Sequence, residues 1–106
     1  MDSRAERAAK NESLFREVNE RITETSLGST ESSRAVCECQ ITDCLETLEV
    51  TLEEYEVVRK EGDRFILVEG HDDPEIERVV DRTDRFIVVE KIGEAGQVAR
   101  DLDPRS

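Results

Sequence analysis

All three cysteines of the chain fall within one short stretch, "CECQITDC", as Cys37, Cys39 and Cys44. The spacing is C-x-C-x4-C. An odd number excludes a closed set of disulfides, and Cys37 and Cys39 can pair with each other only in a small strained ring. Inert core cysteines do not ordinarily cluster in a polar turn, and here Glu38, Gln40, Thr42 and Asp43 are interleaved with them. Clustered thiolates in a reducing compartment point to a soft metal: zinc, an iron–sulfur centre or cuprous copper. Zinc suits the tetrahedral site that a tight knuckle between two strands can build. A fourth donor is then required. His71 is the single histidine, and Gly70 before it permits a sharp turn. His71 is therefore the leading candidate, with Asp43, Asp72, Glu38 or a residue of a partner chain as alternatives.

The same residues argue against catalysis. Three thiolates donate strongly to a metal and blunt its Lewis acidity, whereas catalytic zinc usually keeps an open position and more histidine or carboxylate ligands. The deaminase signature H-x-E with P-C-x-x-C is missing, as are a nucleophile elbow, a P-loop and a dinucleotide loop. No second histidine remains as a general base. The expectation is a structural Cys3His zinc site in a protein that is not an enzyme. A redox-responsive switch, in which thiolate oxidation releases the metal, is the rival reading.

The cluster must be positioned by its flanks. "RAVCEC" and "ETLEVT" read as two short strands around the cysteine turn, with Leu48 and Val50 alternating with polar residues. "TLEEYEVVRKEG" predicts a helix with Thr51 as N-cap, Glu54 completing a capping box and Gly62 at the end. "DRFILVEG" (63–70) recurs as "DRFIVVEK" (84–91), each preceded by a helical pattern with a Val-Val pair. The second of these helices is predicted over "DPEIERVVDR", with Asp73 as cap and Pro74 at its first position. "EAGQVARDLD" predicts a last helix. The expected core is Val36, Leu48, Val50, Leu52, Tyr55, Val58, Phe65, Leu67, Ile76, Val79, Val80, Phe86, Val88, Val98 and Leu102.

At the N-terminal end, residues 1–25 form a predicted amphipathic helix. Ala8, Phe15, Val18 and Ile22 lie near one stripe, Leu14 on its flank, and Glu12, Arg16 and Glu20 on the other faces. Residues 26–33 are rich in Ser, Thr and Gly and read as a flexible linker. The helix can thus dock on the same domain, pair with a second copy or bind another protein. Residues 34–106 make the zinc-binding domain. The fold class expected is α+β: a short antiparallel or mixed sheet, two or three short helices, a zinc staple and the tethered helix.

Composition bounds the partners. In 106 residues there are 15 basic and 27 acidic side chains, a formal net charge of −12. Such a surface repels phosphate backbones and anionic lipid, which excludes nucleic acid and membrane as natural partners and favours a basic protein face. Arg78, Arg82 and Arg85 interleave with Glu75, Glu77, Asp81 and Asp84, so they make no basic patch. There is no long apolar run and no apolar signal segment near the start, and the cytoplasm is the expected compartment. A partner protein would be met through the N-terminal helix or the acidic surface.

"NESLFREVNERI", "CEC" with Cys44, "VTLEEYEVVR", "RFILVEGH", "VVEKIGEAG" and "DPR" occur in that order. With them the chain resembles a group of small uncharacterised bacterial proteins, over most of its length except the linker. Glu69 stands where that group often carries proline. The resemblance implies that Cys37, Cys39, Cys44 and His71 belong together, and it implies no activity.

Overall fold

The computed structural model describes residues 4–25, 33–41, 44 and 46–105. The predicted linker, apart from Ser33, and Asp43 lie outside them. The elements run α1 (Arg4–Thr25), β1 (Ser33–Val36), β2 (Thr47–Val50), α2 (Leu52–Val58), β3 (Arg64–Leu67), β4 (Glu77–Arg82), β5 (Ile87–Lys91) and α3 (Gly93–Asp101). β1 and β2 form an antiparallel pair, with Ala35 opposite Leu48. The other strands form an antiparallel sheet in the order β3-β5-β4. The fold is α+β, as expected.

The central strand β5 explains the continuous apolar runs. A strand covered on both faces needs no polar alternation. Phe65, Leu67, Ile87 and Val89 face one way and pack with Cys37, Cys39 and Ala99. Ile66, Phe86 and Val88 face the other way, against Ala35, Leu48, Val50, Tyr55 and Val58. The expected core was therefore incomplete: Ile66, Ile87 and Val89 are fully buried, while Leu102 is 40% exposed.

Helix α2 follows its local chemistry. Thr51 Oγ1 accepts from the Glu54 N–H (3.1 Å), and Glu54 Oε1 accepts from the Thr51 N–H (2.9 Å), which closes the capping box. The helix ends at Val58, earlier than Gly62 suggested.

The predicted helix over 73–82 is a turn followed by a strand. It does begin like a helix: the Asp73 carbonyl accepts from the N–H groups of Ile76 and Glu77, both at 3.1 Å. It does not propagate. Val79 and Val80 are β-branched, and one side of the segment pairs with β5. A β-bulge between Val79 and Asp81 twists this edge strand, whose outer positions carry Arg78, Asp81 and Arg82. The two echoed segments are both strands, but the second belongs to a hairpin rather than to a helix–turn–strand unit.

Helix α1 packs on the same domain, against α3 and β1. Its docked face is not the apolar stripe. Among the described residues its buried side chains are Ala8, Ala9, Glu12, Ser13, Arg16 and Asn19, whereas Leu14 is 61% and Val18 45% exposed. Arg16 donates to the carbonyls of Gly62 (2.6 Å) and Ala99 (2.9 Å), and its guanidinium lies 4.4 Å from the Phe65 ring centroid. Glu12 meets the Lys91 ammonium, and Glu20 meets Arg59 and Arg105. Arg16, Asn19 and the Glu12 carboxylate find partners across this interface, whereas Ser13 Oγ and Arg16 Nε are buried without a hydrogen bond among the described residues, so much of the docking is polar contact rather than apolar area.

Candidate metal centre

Cys37 follows directly on β1, and its N–H donates to the Glu46 carbonyl (3.1 Å), so the strand pair extends into the knuckle. The chain then turns, and the Cys44 N–H closes onto the Ile41 carbonyl (3.1 Å). His71 arrives from the turn that follows β3, a strand bonded to the knuckle through Ile66. It lies just past β3, where Gly70 takes a φ of +91° that an L side chain rarely adopts. The His71 N–H donates to the Val68 carbonyl (3.0 Å), which fixes the turn.

These two turns bring Cys37, Cys39, Cys44 and His71 together. One ligand atom from each lies within 4.8 Å of all the others, so the group could hold a metal ion. Cys37 Sγ is 3.5 Å and Cys44 Sγ 3.7 Å from His71 Nδ1. Of the alternative fourth donors, neither Glu38 nor Asp72 is in the group, and Asp43 lies outside the described residues. The site sits at an edge of the core: Cys37 and Cys39 are buried, while Cys44 and His71 are half-buried.

The surroundings act differently on the three thiols. The Val68 N–H donates to Cys37 Sγ (3.2 Å), an N–H···S bond of the kind that stabilises charge on sulfur. The hydrogen bond between Cys37 and Cys39 pulls the Cys39 thiol down to about 5 and pushes Cys37 up, burial adding to the rise. The two thiols titrate as a pair, and binding of a cation would displace their protons. Burial raises the Cys44 thiol. A further bond, Gln40 Nε2 to Asp73 Oδ2 (2.7 Å), fastens the knuckle to the loop that follows His71.

Glu38, between the first two cysteines, turns the other way and is fully buried. It accepts from the Tyr55 hydroxyl (3.2 Å), from Asn19 Nδ2 (2.8 Å) and from the Ile66 N–H (3.0 Å). Burial raises its carboxyl to about 7, against the pull of the Asn19 and Ile66 donors. Sequence reasoning set Glu38 beside the metal. The alternation of an extended chain, which puts residue 38 opposite 37 and 39, was the signal that could have placed it in the core. Asn19 carried no such signal, because an asparagine on a charged helix is indistinguishable from a solvated one.

Comparison with family models, curated proteins and solved structures gave no match. Among the described residues no helix is long and apolar enough to cross a membrane.

Proposed function

We propose that the protein is a non-catalytic adaptor or regulator whose domain is held together by a structural zinc ion on Cys37, Cys39, Cys44 and His71. The convergence of those four donors carries the reading. Zinc bond lengths of about 2.3 Å to sulfur and 2.0–2.1 Å to nitrogen, in a tetrahedron, set sulfur–nitrogen separations near 3.6 Å. The observed 3.5 and 3.7 Å to Nδ1 fit that figure. Zinc would join the knuckle after β1 to the turn after β3, two places that the backbone links only distantly. With all four positions taken by protein, no open position is left for substrate.

Contacts with a partner would use the outer face of α1. Leu14 and Val18 are exposed there, and Leu14 lines a shallow cavity of about 340 Å³ with Lys10, Ser13, Glu17 and Leu102. The net charge of −12 selects a basic protein, steered in a reducing compartment such as the cytoplasm. The half-buried Cys44 also supports a second reading, in which oxidation at this accessible thiol releases the ion.

Elemental mass analysis of untagged protein, purified without chelator, tests the first reading. It should find one zinc per chain, and His71→Ala should bind the ion about a hundredfold more weakly or not at all. A folded wild-type protein without metal overturns the staple. Reversible zinc loss in mild peroxide would make the redox reading the better one. For the partner face, Leu14→Asp with Val18→Asp should keep zinc but lose the basic partner; unchanged partner binding would remove this face from the interface.

A further inference from the structure

We propose that filling of the Cys3His site and docking of α1 are one coupled equilibrium, linked through Asn19 and Glu38. The inference rests on the metal reading above and adds its regulation. Residues 36 to 40 are gripped alternately from two sides. Cys37 and Cys39 turn to the metal group. The residues between and beside them turn to the helix. Asn19 brackets Val36, donating from Nδ2 to its carbonyl and accepting at Oδ1 from its N–H, each at 2.9 Å. The same Nδ2 donates to Glu38 (2.8 Å), and Asn11 Nδ2 reaches the Gln40 carbonyl (3.4 Å). The five-residue stretch therefore cannot shift on one side without breaking directional bonds on the other.

The rest of the α1 interface makes it responsive. Its largest buried side chains are Glu12, Arg16 and Asn19, held by hydrogen bonds and ion pairs with strict distance and angle demands. An apolar interface tolerates sliding; this one does not. A relaxed, metal-free knuckle would therefore let α1 go and uncover Phe65 of β3 and the part of α3 around Ala99. Coupling is reciprocal: whatever factor the ion adds to α1 docking, α1 adds to affinity for the ion. A partner reading α1 would then sense the state of the metal site.

Two measurements on the full chain test this. Zn²⁺ affinity is measured by competition with a chromophoric chelator for wild type, Asn19→Ala and Val58→Ala, the last a buried α2 residue outside the α1 contact. Amide hydrogen exchange of wild type is compared with Zn²⁺ bound and stripped. Asn19→Ala should bind Zn²⁺ about tenfold more weakly, within the usual range of such couplings. Val58→Ala should stay within about twofold. Stripping should speed exchange in α1 about tenfold more than in β5. Equal Zn²⁺ affinity in wild type and Asn19→Ala overturns the coupling, as does an equal loss in Val58→Ala, which would reflect general stability alone. If Asn19→Ala does not fold, exchange in wild type decides, and α1 protection indifferent to Zn²⁺ overturns the proposal. Wild type that binds no Zn²⁺ overturns the metal reading itself, a result distinct from binding that ignores α1.

Discussion

One buried ammonium, that of Lys91, lies against two buried carboxylates, Glu12 from α1 and Glu77 from β4. Glu77 also accepts from the Asp73 N–H (2.9 Å), so its position is fixed. Burial holds the Glu12 carboxyl well above its ordinary value of 4.5; Lys91 pulls it down and Glu77 pushes it up. A carboxyl raised on folding keeps its proton while the unfolded chain loses one. Its contribution to stability is complete below about pH 4.5 and is lost as pH rises through the raised value. Glu12→Gln removes that titration and leaves Lys91 paired with Glu77. The stability difference between variant and wild type, from chemical denaturation, should grow in favour of the variant from about pH 5 to pH 8 and reach about 1 kcal/mol. A difference flat with pH would mean that Glu12 is ionised throughout. The grouping of Cys37, Cys39, Cys44 and His71 was legible at this scale because thiols and imidazoles are scarce, so their spacing carries information. The Glu12–Lys91–Glu77 group was not, since two carboxylates among 27 acidic residues announce nothing.

Helix α1 reverses the usual relation between pattern and packing. Periodicity correctly predicts that residues 4–25 are helical, because the spacing of Phe15, Val18 and Ile22 and the good helix formers between them suffice. It leaves the docked face open, and of the apolar stripe Ala8 is buried while Val18 is exposed. The inward face instead meets backbone carbonyls, a lysine and a glutamate that only polar side chains can satisfy. Val18→Ser should therefore change stability by no more than about 0.5 kcal/mol. Asn19→Leu, isosteric in outline and more apolar, should cost about 2 kcal/mol or more by removing both Asn19 bonds to the Val36 backbone and one of the three donors to Glu38. Thermal or urea melts of the two variants check the order, and the reverse order would restore the apolar stripe as the docking face. The segment 73–82 fails for a related reason. Asp73-Pro74 supplies a sound helix start, and only the presence of β5 alongside decides that Val79 and Val80 extend instead.

At the scale of the molecule, the β1–β2 pair and the three-stranded sheet share an apolar core and are joined by hydrogen bonds at its edge. One is the bond from the Glu38 N–H to the Ile66 carbonyl (2.9 Å), just beside the metal group. An ion on the four ligands would clip the two sheets together at that place. It binds the folded chain and not the unfolded one, so at a thousandfold excess over its dissociation constant it should add about 4 kcal/mol. Melting temperature should rise with free zinc and fall with chelator; a melt independent of both would deny the clip. The fold class was legible because strand and helix periods differ and the capping box is local. Which strands join which sheet was not, since that depends on pairing between distant segments.

The anchors of α1 also have an order in time. Arg16 takes the Ala99 carbonyl, 83 residues away, and Glu20 takes Arg105, 85 residues away. On the ribosome the helix emerges first and its anchors nearly a whole domain later. For much of that interval α1 can meet only β1 and the knuckle after it. The face that waits for those anchors carries Glu12, Arg16 and Asn19 beside two small alanines, and such side chains stay solvated in water until they dock. The polar interface thus suits a segment that is made early and seated late.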